Sequence, residues 1–189
     1  MYASSPDLYC YPGTTVLKNR LDIRDQHSLD AFEADAVTQR GLEPLPVGRF
    51  SISHFRSIHR HLFQDVYSWA GNFRTVRIAK DSSMFCYPEH IAAQLSELFV
   101  WLAEQNRLVA LSADAFSERG AHFLSELNAI HAFREGNGRA QMAFFAMLSS
   151  HAGHPLELDR MEPDSFLDAM IRSFNGKSDE LAKQLRMML

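Results

Sequence analysis

Residues 112–152 read SADAFSERGAHFLSELNAIHAFREGNGRAQMAFFAMLSSHA. Two helical patterns meet there at a single interruption. Before it, Phe116, Phe123, Leu124 and Leu127 recur on one face, which predicts a helix from about Ser112 to Ile130. After it, the segment from Ala140 to about His151 is apolar almost all round, the mark of a central buried helix. Gly153 and Pro155 stop that second helix. Between the two lies HAFREGNGR, from His131 to Arg139. A loop joining two buried helices is held by rigid elements on either side, so its side chains are placed by the fold.

Working outward, helical spacing dominates the chain. Leu29, Phe32, Ala36 and Val37 predict a helix over Gln26–Gln39. Ser51 or Ser53 can cap a helix running to Phe63, with Phe55, Ile58 and Leu62 as its buried stripe. His54, His59 and His61 on that helix read as exposed or hydrogen-bonded histidines, since no Cys or Glu completes a metal set at ligand spacing. Tyr67 and Trp69 are expected core anchors. Pro88 suits the first turn of a helix carrying Ile91, Leu95, Leu98, Phe99 and Leu102. Two further helices fit residues 162–174 and residues 178 to the end.

One segment breaks the helical period. Thr75-Val76-Arg77-Ile78 alternates polar and apolar, as a half-buried strand does. Lys80-Asp81-Ser82-Ser83 is turn-like, and Met84-Phe85-Cys86-Tyr87 can return as a second strand. The expected fold is therefore all-α with one small β-hairpin. With 189 residues there is one core, read as residues 49–189 with residues 1–48 packed on it as an N-terminal extension.

Composition narrows the function. A net charge of −4 argues against a broad nucleic-acid surface, yet leaves room for a small basic pocket holding one nucleotide. Two cysteines, Cys10 and Cys86, exclude a disulfide framework and point to a reducing, cytoplasmic setting. MYASSPDLYCYPG lacks the basic start and apolar run of a signal peptide. The longest apolar stretch, Met142–Leu148, is too short to span a bilayer, so no membrane partner is expected. No G-x-x-x-x-G-K-[ST] is present, which disfavours P-loop chemistry.

The loop itself predicts a phosphate site. Gly136-Asn137-Gly138 can adopt backbone angles that turn successive N–H groups toward one point. That point lies at a helix N-terminus, whose dipole and unsatisfied N–H groups attract an anion. Arg139 adds a charged fork suited to phosphate oxygens. Glu135 is placed to hold Mg²⁺ against such phosphates, and His131 can take a proton from a hydroxyl nucleophile.

These residues resemble the signature of the Fic (Fido) family, His-x-Phe-x-(Asp/Glu)-Gly-Asn-Gly-Arg-x-x-Arg. His131, Phe133, Glu135, Gly136, Asn137, Gly138 and Arg139 match it without a gap. LFQDVYSWAGNFRTVRI and the hairpin after it resemble the lead-in and flap of that family. YPGTTVLKNRLDI resembles the start of its bacterial toxin branch. The resemblance implies a helical Fido domain over 49–189 and transfer of AMP from ATP to a Ser, Thr or Tyr hydroxyl of a target protein. It makes His131 the general base, Phe133 a core anchor and Glu135 the Mg²⁺ ligand. Gly136, Asn137 and Gly138 become the phosphate cradle, and Arg139 the group offsetting charge on the leaving pyrophosphate. The flap, with Ile78, Lys80 and Phe85, would hold the target segment as an added strand.

Two positions depart from the pattern. Ala132 replaces the proline common after the histidine, and Met142 stands where the second arginine belongs. In the family that arginine grips the outer phosphates and pairs with an inhibitory glutamate; methionine can do neither. Met142 therefore keeps open the alternative of a degenerate member that binds nucleotide or a partner without efficient turnover. The family's inhibitory pattern, (Ser/Thr)-x-x-x-Glu-(Gly/Asn), has no copy here. In the run from Thr38 to Glu43 the glutamate comes one residue late, a rotation of about 100° around a helix. The resemblance thus implies inhibition in trans by a small antitoxin protein. By the same analogy the first target candidates are DNA gyrase and topoisomerase IV subunits.

Overall fold

A computed structural model describes residues 7–80 and 83–189. Seven α-helices occur among them: α1 (Gln26–Gly41), α2 (Ile52–Phe63), α3 (Ile91–Glu104), α4 (Ala113–Ile130), α5 (Asn137–Ala152), α6 (Pro163–Phe174) and α7 (Asp179–Met187). Side-chain caps account for three of the starts. The side chains of Asp25, Ser51 and Ser112 accept from the N–H three residues on and cap α1, α2 and α4. Pro88 opens a short 3₁₀ turn, Pro88–His90, rather than α3 itself, which begins at Ile91.

Helix α4 is the hub. Helices α3, α5, α6 and α7 all pack on it, while α2 bridges α5 to α1. The core is aromatic: Phe144 of α5 stands 5.6 Å from both Phe55 and Phe99 and 5.9 Å from Phe123. The N-terminal segment joins the same cluster through Cys10, Val16 and Leu17. Both cysteines are free thiols. No helix among the described residues is long and apolar enough to cross a membrane.

Three expectations are corrected. The helix expected from Ala140 starts three residues earlier, at Asn137, because Gly136 in the left-handed region (φ 78°) turns the chain directly into it. Helix α5 is also not buried all round. Met142, Ala143, Ala146 and Met147 are only partly buried and line an open apolar groove of about 810 Å³, together with Val47 and Phe50. The hairpin is far shorter than the alternation implied. Strands β1 (Ala79–Lys80) and β2 (Ser83–Met84) pair antiparallel, Ala79 with Met84 and Lys80 with Ser83. One further bond, Phe85 N–H to Ile78 O, extends it, and beyond that the chain bonds elsewhere: Thr75 N–H to the Tyr9 hydroxyl, and Cys86 N–H to the Ala129 carbonyl of α4. Asp81 and Ser82 of the expected turn lie outside the described residues.

Candidate active site

The loop between α4 and α5 is fixed from within and from behind. Phe133 is fully buried, 5.1 Å from Phe55, and anchors the loop in the aromatic core. Asn137 turns its side chain inward: Oδ1 accepts from Phe133 N–H at 2.8 Å and Nδ2 donates to Phe133 O at 2.7 Å. Only its backbone N–H is thus placed to join an anion cradle. Ala132 is buried and its carbonyl accepts from Arg74 N–H at 2.9 Å.

Gly136 is required twice over. Its φ of 78° suits glycine, and a Cβ there would overlap the Phe63 ring. With no side-chain cap on α5, the first-turn N–H groups of Asn137, Gly138 and Arg139 are left for an external acceptor. A Cβ added at Gly138 would meet nothing within 4 Å, so that face is open. Free N–H groups at an open helix N-terminus are the geometry that an anion site of the kind expected from the glycine-rich run requires.

His131 closes α4 as its C-cap in the left-handed region, φ 48° and ψ 62°. Its Nδ1 lies 3.3 Å from Asn128 O. With that carbonyl accepting from Nδ1–H, the basic nitrogen is Nε2. The ring stacks on Phe85 at 3.8 Å and 17°. Phe85, expected on the flap as a docking residue, therefore also packs on the histidine, and its N–H bonds Ile78 O at 3.3 Å. Ile78 is not among the described residues that line the cavity, and Lys80 pairs with Ser83 on the hairpin.

Glu135 Oε1 accepts from Gly136 N–H at 2.8 Å and lies 3.4 Å from Arg139. The carboxylate is 42% exposed, so solvent and phosphate can reach it. Among the described residues no group of three His, Cys, Asp or Glu converges to hold a metal. A single accessible carboxylate beside an anion cradle does fit Mg²⁺, which takes one or two carboxylates and completes its shell from phosphates and water.

Arg139 carries a partner that sequence reasoning missed. Its guanidinium lies 2.6 Å from Glu33 of α1 and 4.7 Å from the centre of the Phe63 ring. Glu33 also accepts from the Tyr67 hydroxyl. Burial, then Glu33, pushes that phenol well above its ordinary range, so it stays a donor. No local signal pointed to Glu33, which is 106 positions from Arg139.

His59, expected to be exposed or hydrogen-bonded, is the second: it falls on the Phe55, Ile58, Leu62 stripe, is fully buried, and stacks on Phe133 at 3.7 Å, a link to the loop that the sequence did not show. Nε2 bonds Glu135 O at 2.9 Å, while Nδ1 accepts from Gly71 N–H at 2.9 Å. These bonds fix the neutral Nε2–H tautomer. His54, also buried, bonds Pro46 O, and His61 bonds Arg40 O.

His131, Glu135 to Arg139, Met142 and Phe85 converge on one cavity of about 600 Å³. Its far wall is apolar, formed by α6 residues including Phe166, Leu167 and Met170. Met142 is half-buried and lines both this cavity and the neighbouring groove, so it is a wall rather than interior filler. A cationic, N–H-lined end facing an apolar wall suits a molecule with phosphates at one end and a flat base at the other.

This helical frame and its loop define a known class. A match to the Fic/DOC family covers residues 49–149, and the chain belongs to that family. It is 48% identical over 189 residues to the probable protein adenylyltransferase y4lH of Sinorhizobium fredii, spanning 100% of this chain and 98% of that protein. It is 38% identical over 188 residues to the protein adenylyltransferase VbhT of Bartonella schoenbuchensis, covering 98% of this chain but 39% of that longer protein. Among solved structures, BepC of Bartonella tribocorum with bound AMPPNP superposes with a TM-score of 0.85 at 27% identity, covering 95% of each chain.

Proposed function

We propose that this chain is a protein adenylyltransferase that moves AMP from ATP to a hydroxyl side chain of another protein. One observation carries the reading: His131 and the N-terminus of α5 open onto the same nucleotide-sized cavity. The adenylyltransferase names of its relatives and the AMPPNP held by BepC support it.

On this reading each group has a task that the geometry supports. The base lies against the apolar α6 wall and the α-phosphate sits at the α5 N–H groups, which stabilise charge as it develops. The target oxygen forms a bond to the α-phosphorus while the bond to the bridging oxygen breaks and pyrophosphate leaves. The hydroxyl proton passes to His131 Nε2. Glu135 would hold Mg²⁺, which supplies charge neutralisation at the phosphates when bound. Arg139, released from Glu33 and Glu135, offsets the charge on the leaving group. Incubation with ATP and Mg²⁺ followed by intact-protein mass spectrometry of candidate targets tests this: the expected product is heavier by one AMP. No adduct on any protein across a lysate would count against transfer.

The finer reading is a bacterial toxin acting in the cytoplasm on gyrase or topoisomerase IV subunits and restrained by an antitoxin helix. The apolar groove beside Arg139 and Met142, with Val47 95% exposed on its rim, supports a helical partner there. A fully active isolated chain with no co-purifying partner would end that part of the reading.

Met142 favours a second reading, a nucleotide-binding member that turns over poorly. Because Met142 lines the open cavity, an arginine there can reach phosphate without being buried. Met142→Arg is expected to tighten ATP binding with Mg²⁺ by about ten- to a hundredfold, the worth of one charge-assisted hydrogen bond. ADP, lacking the outermost phosphate, should respond much less. Calorimetry with both nucleotides checks this. Unchanged ATP affinity with a lowered unfolding temperature would show that the missing arginine has no bearing on this pocket.

A further inference from the structure

Arg74 is 2% exposed, and among the described residues it has no carboxylate partner. Its guanidinium is satisfied entirely by main-chain carbonyls. Nε donates to His131 O at 2.7 Å, Nη1 to Val76 O at 2.8 Å, and Nη2 to Cys86 O at 2.5 Å and Ile130 O at 3.2 Å. Its own N–H reaches Ala132 O at 2.9 Å. Burial pulls the guanidinium below its ordinary range, and the negative end of α4, where the carbonyls of Ile130 and His131 project, favours the charge it keeps.

The four carbonyls belong to two parts of the site. Ile130 and His131 end α4 at the left-handed turn that aims the imidazole, a conformation a non-glycine residue resists. Val76 and Cys86 are the two legs of the flap, and Cys86 directly follows Phe85, the ring stacked on His131. The phosphate cradle, by contrast, has its own anchors in Phe133, Asn137 and His59. We propose that Arg74 is a positioning residue that locks the backbone of His131 to the base of the flap, so that base and target-docking hairpin act as one unit. The sequence offered only a lone arginine between Phe73 and Thr75; nothing local set it apart.

A lysine keeps the charge but has no planar fork to span carbonyls on two elements. The activity arm of the test rests on the AMP-transfer reading above; a second arm does not. In Arg74→Lys and Arg74→Gln, kcat for AMP transfer should fall by about a hundredfold, the usual cost of displacing a reacting group by roughly an ångström. The KM for ATP should hold, because the cradle is anchored separately. Independently, the His131 ring protons, shifted upfield by Phe85 in the parent protein, should move toward unstacked values by NMR. Those of His59 should stay where they are. If the parent protein transfers no AMP yet the His131 signals shift in the variants, the functional reading falls and the positioning role stands. Folded variants with unchanged His131 signals overturn the proposal, whatever their rate. So does a KM for ATP that rises as far as kcat falls, or failure of both variants to fold, since Arg74 would then be a pillar of the fold alone.

Discussion

Replacing His131 with alanine is expected to lower AMP transfer by about 10²–10⁴-fold, the contribution of a positioned general base. Little of the fold depends on the imidazole. Its backbone carries the structural duties, with His131 O bonded to Arg74 and His131 N–H to Leu127 O. The ring itself stacks on Phe85, at the margin of the protein, and contacts Asn128 O. Thermal unfolding should therefore shift by only a few degrees. Nucleotide affinity should be nearly unchanged, because the α5 N–H groups and Arg139 remain. Intact-mass measurement of target modification, with calorimetric ATP binding as the control, reads both. Full labelling by a folded His131→Ala protein would remove this residue from the mechanism.

The second large effect is on stability, and it belongs to His59. Its pKa is lowered from 6.5 to about 4 by burial, which outweighs the raising effect of its bond to Glu135 O, with a still smaller lowering by the Arg139 charge. The folded protein therefore holds this ring neutral, while the unfolded chain protonates it near 6.5. The sign follows: its contribution is fully present above pH 6.5 and is lost as pH falls toward 4. For one such group the loss between pH 7.5 and 5 is about 2 kcal/mol. His59→Ala removes the ring stacked between Phe133 and Phe63 and leaves Glu135 O and Gly71 N–H without their buried partner. At neutral pH the cost is expected at about 3–5 kcal/mol, from cavity and lost hydrogen bonds together. Urea unfolding at the two pH values measures both quantities. The variant should be weaker at pH 7.5 and should lose this component of acid sensitivity. A variant with the parent's midpoint and the parent's acid slope would mean that His59 neither holds the loop nor titrates on unfolding.

Met142 shows why a departure from a motif needs a structure to weigh it. A methionine on an apolar helix can fill the core or line a pocket, and only the cavity it lines decides between them. The same applies to Arg139. Its charge was legible as a candidate phosphate ligand, but its pairing with Glu33 was not, and that ion pair must open before the guanidinium can serve a nucleotide. The flap was legible as alternation around residues 75–87. Its length was not, because alternation reports which faces are apolar and not which backbone groups are already engaged by Tyr9, Ala129 and Arg74.

What the sequence determined alone is local in origin. Apolar spacing placed the helices; of Ser51 and Ser53 it is Ser51 that caps α2, and the start expected at about Ser112 is capped by that residue. The glycines of residues 136 and 138, beside Arg139 and between two apolar helices, marked the candidate anion site. What the tertiary structure decided is every pairing that joins distant segments. His59 meets Glu135 across 76 positions, Arg74 meets His131 across 57, and Glu33 meets Arg139 across 106. Periodicity says which side of a helix turns inward. It does not say which carbonyl or carboxylate waits there, because that depends on the path of the whole chain, and a buried donor must be satisfied wherever that path leads it.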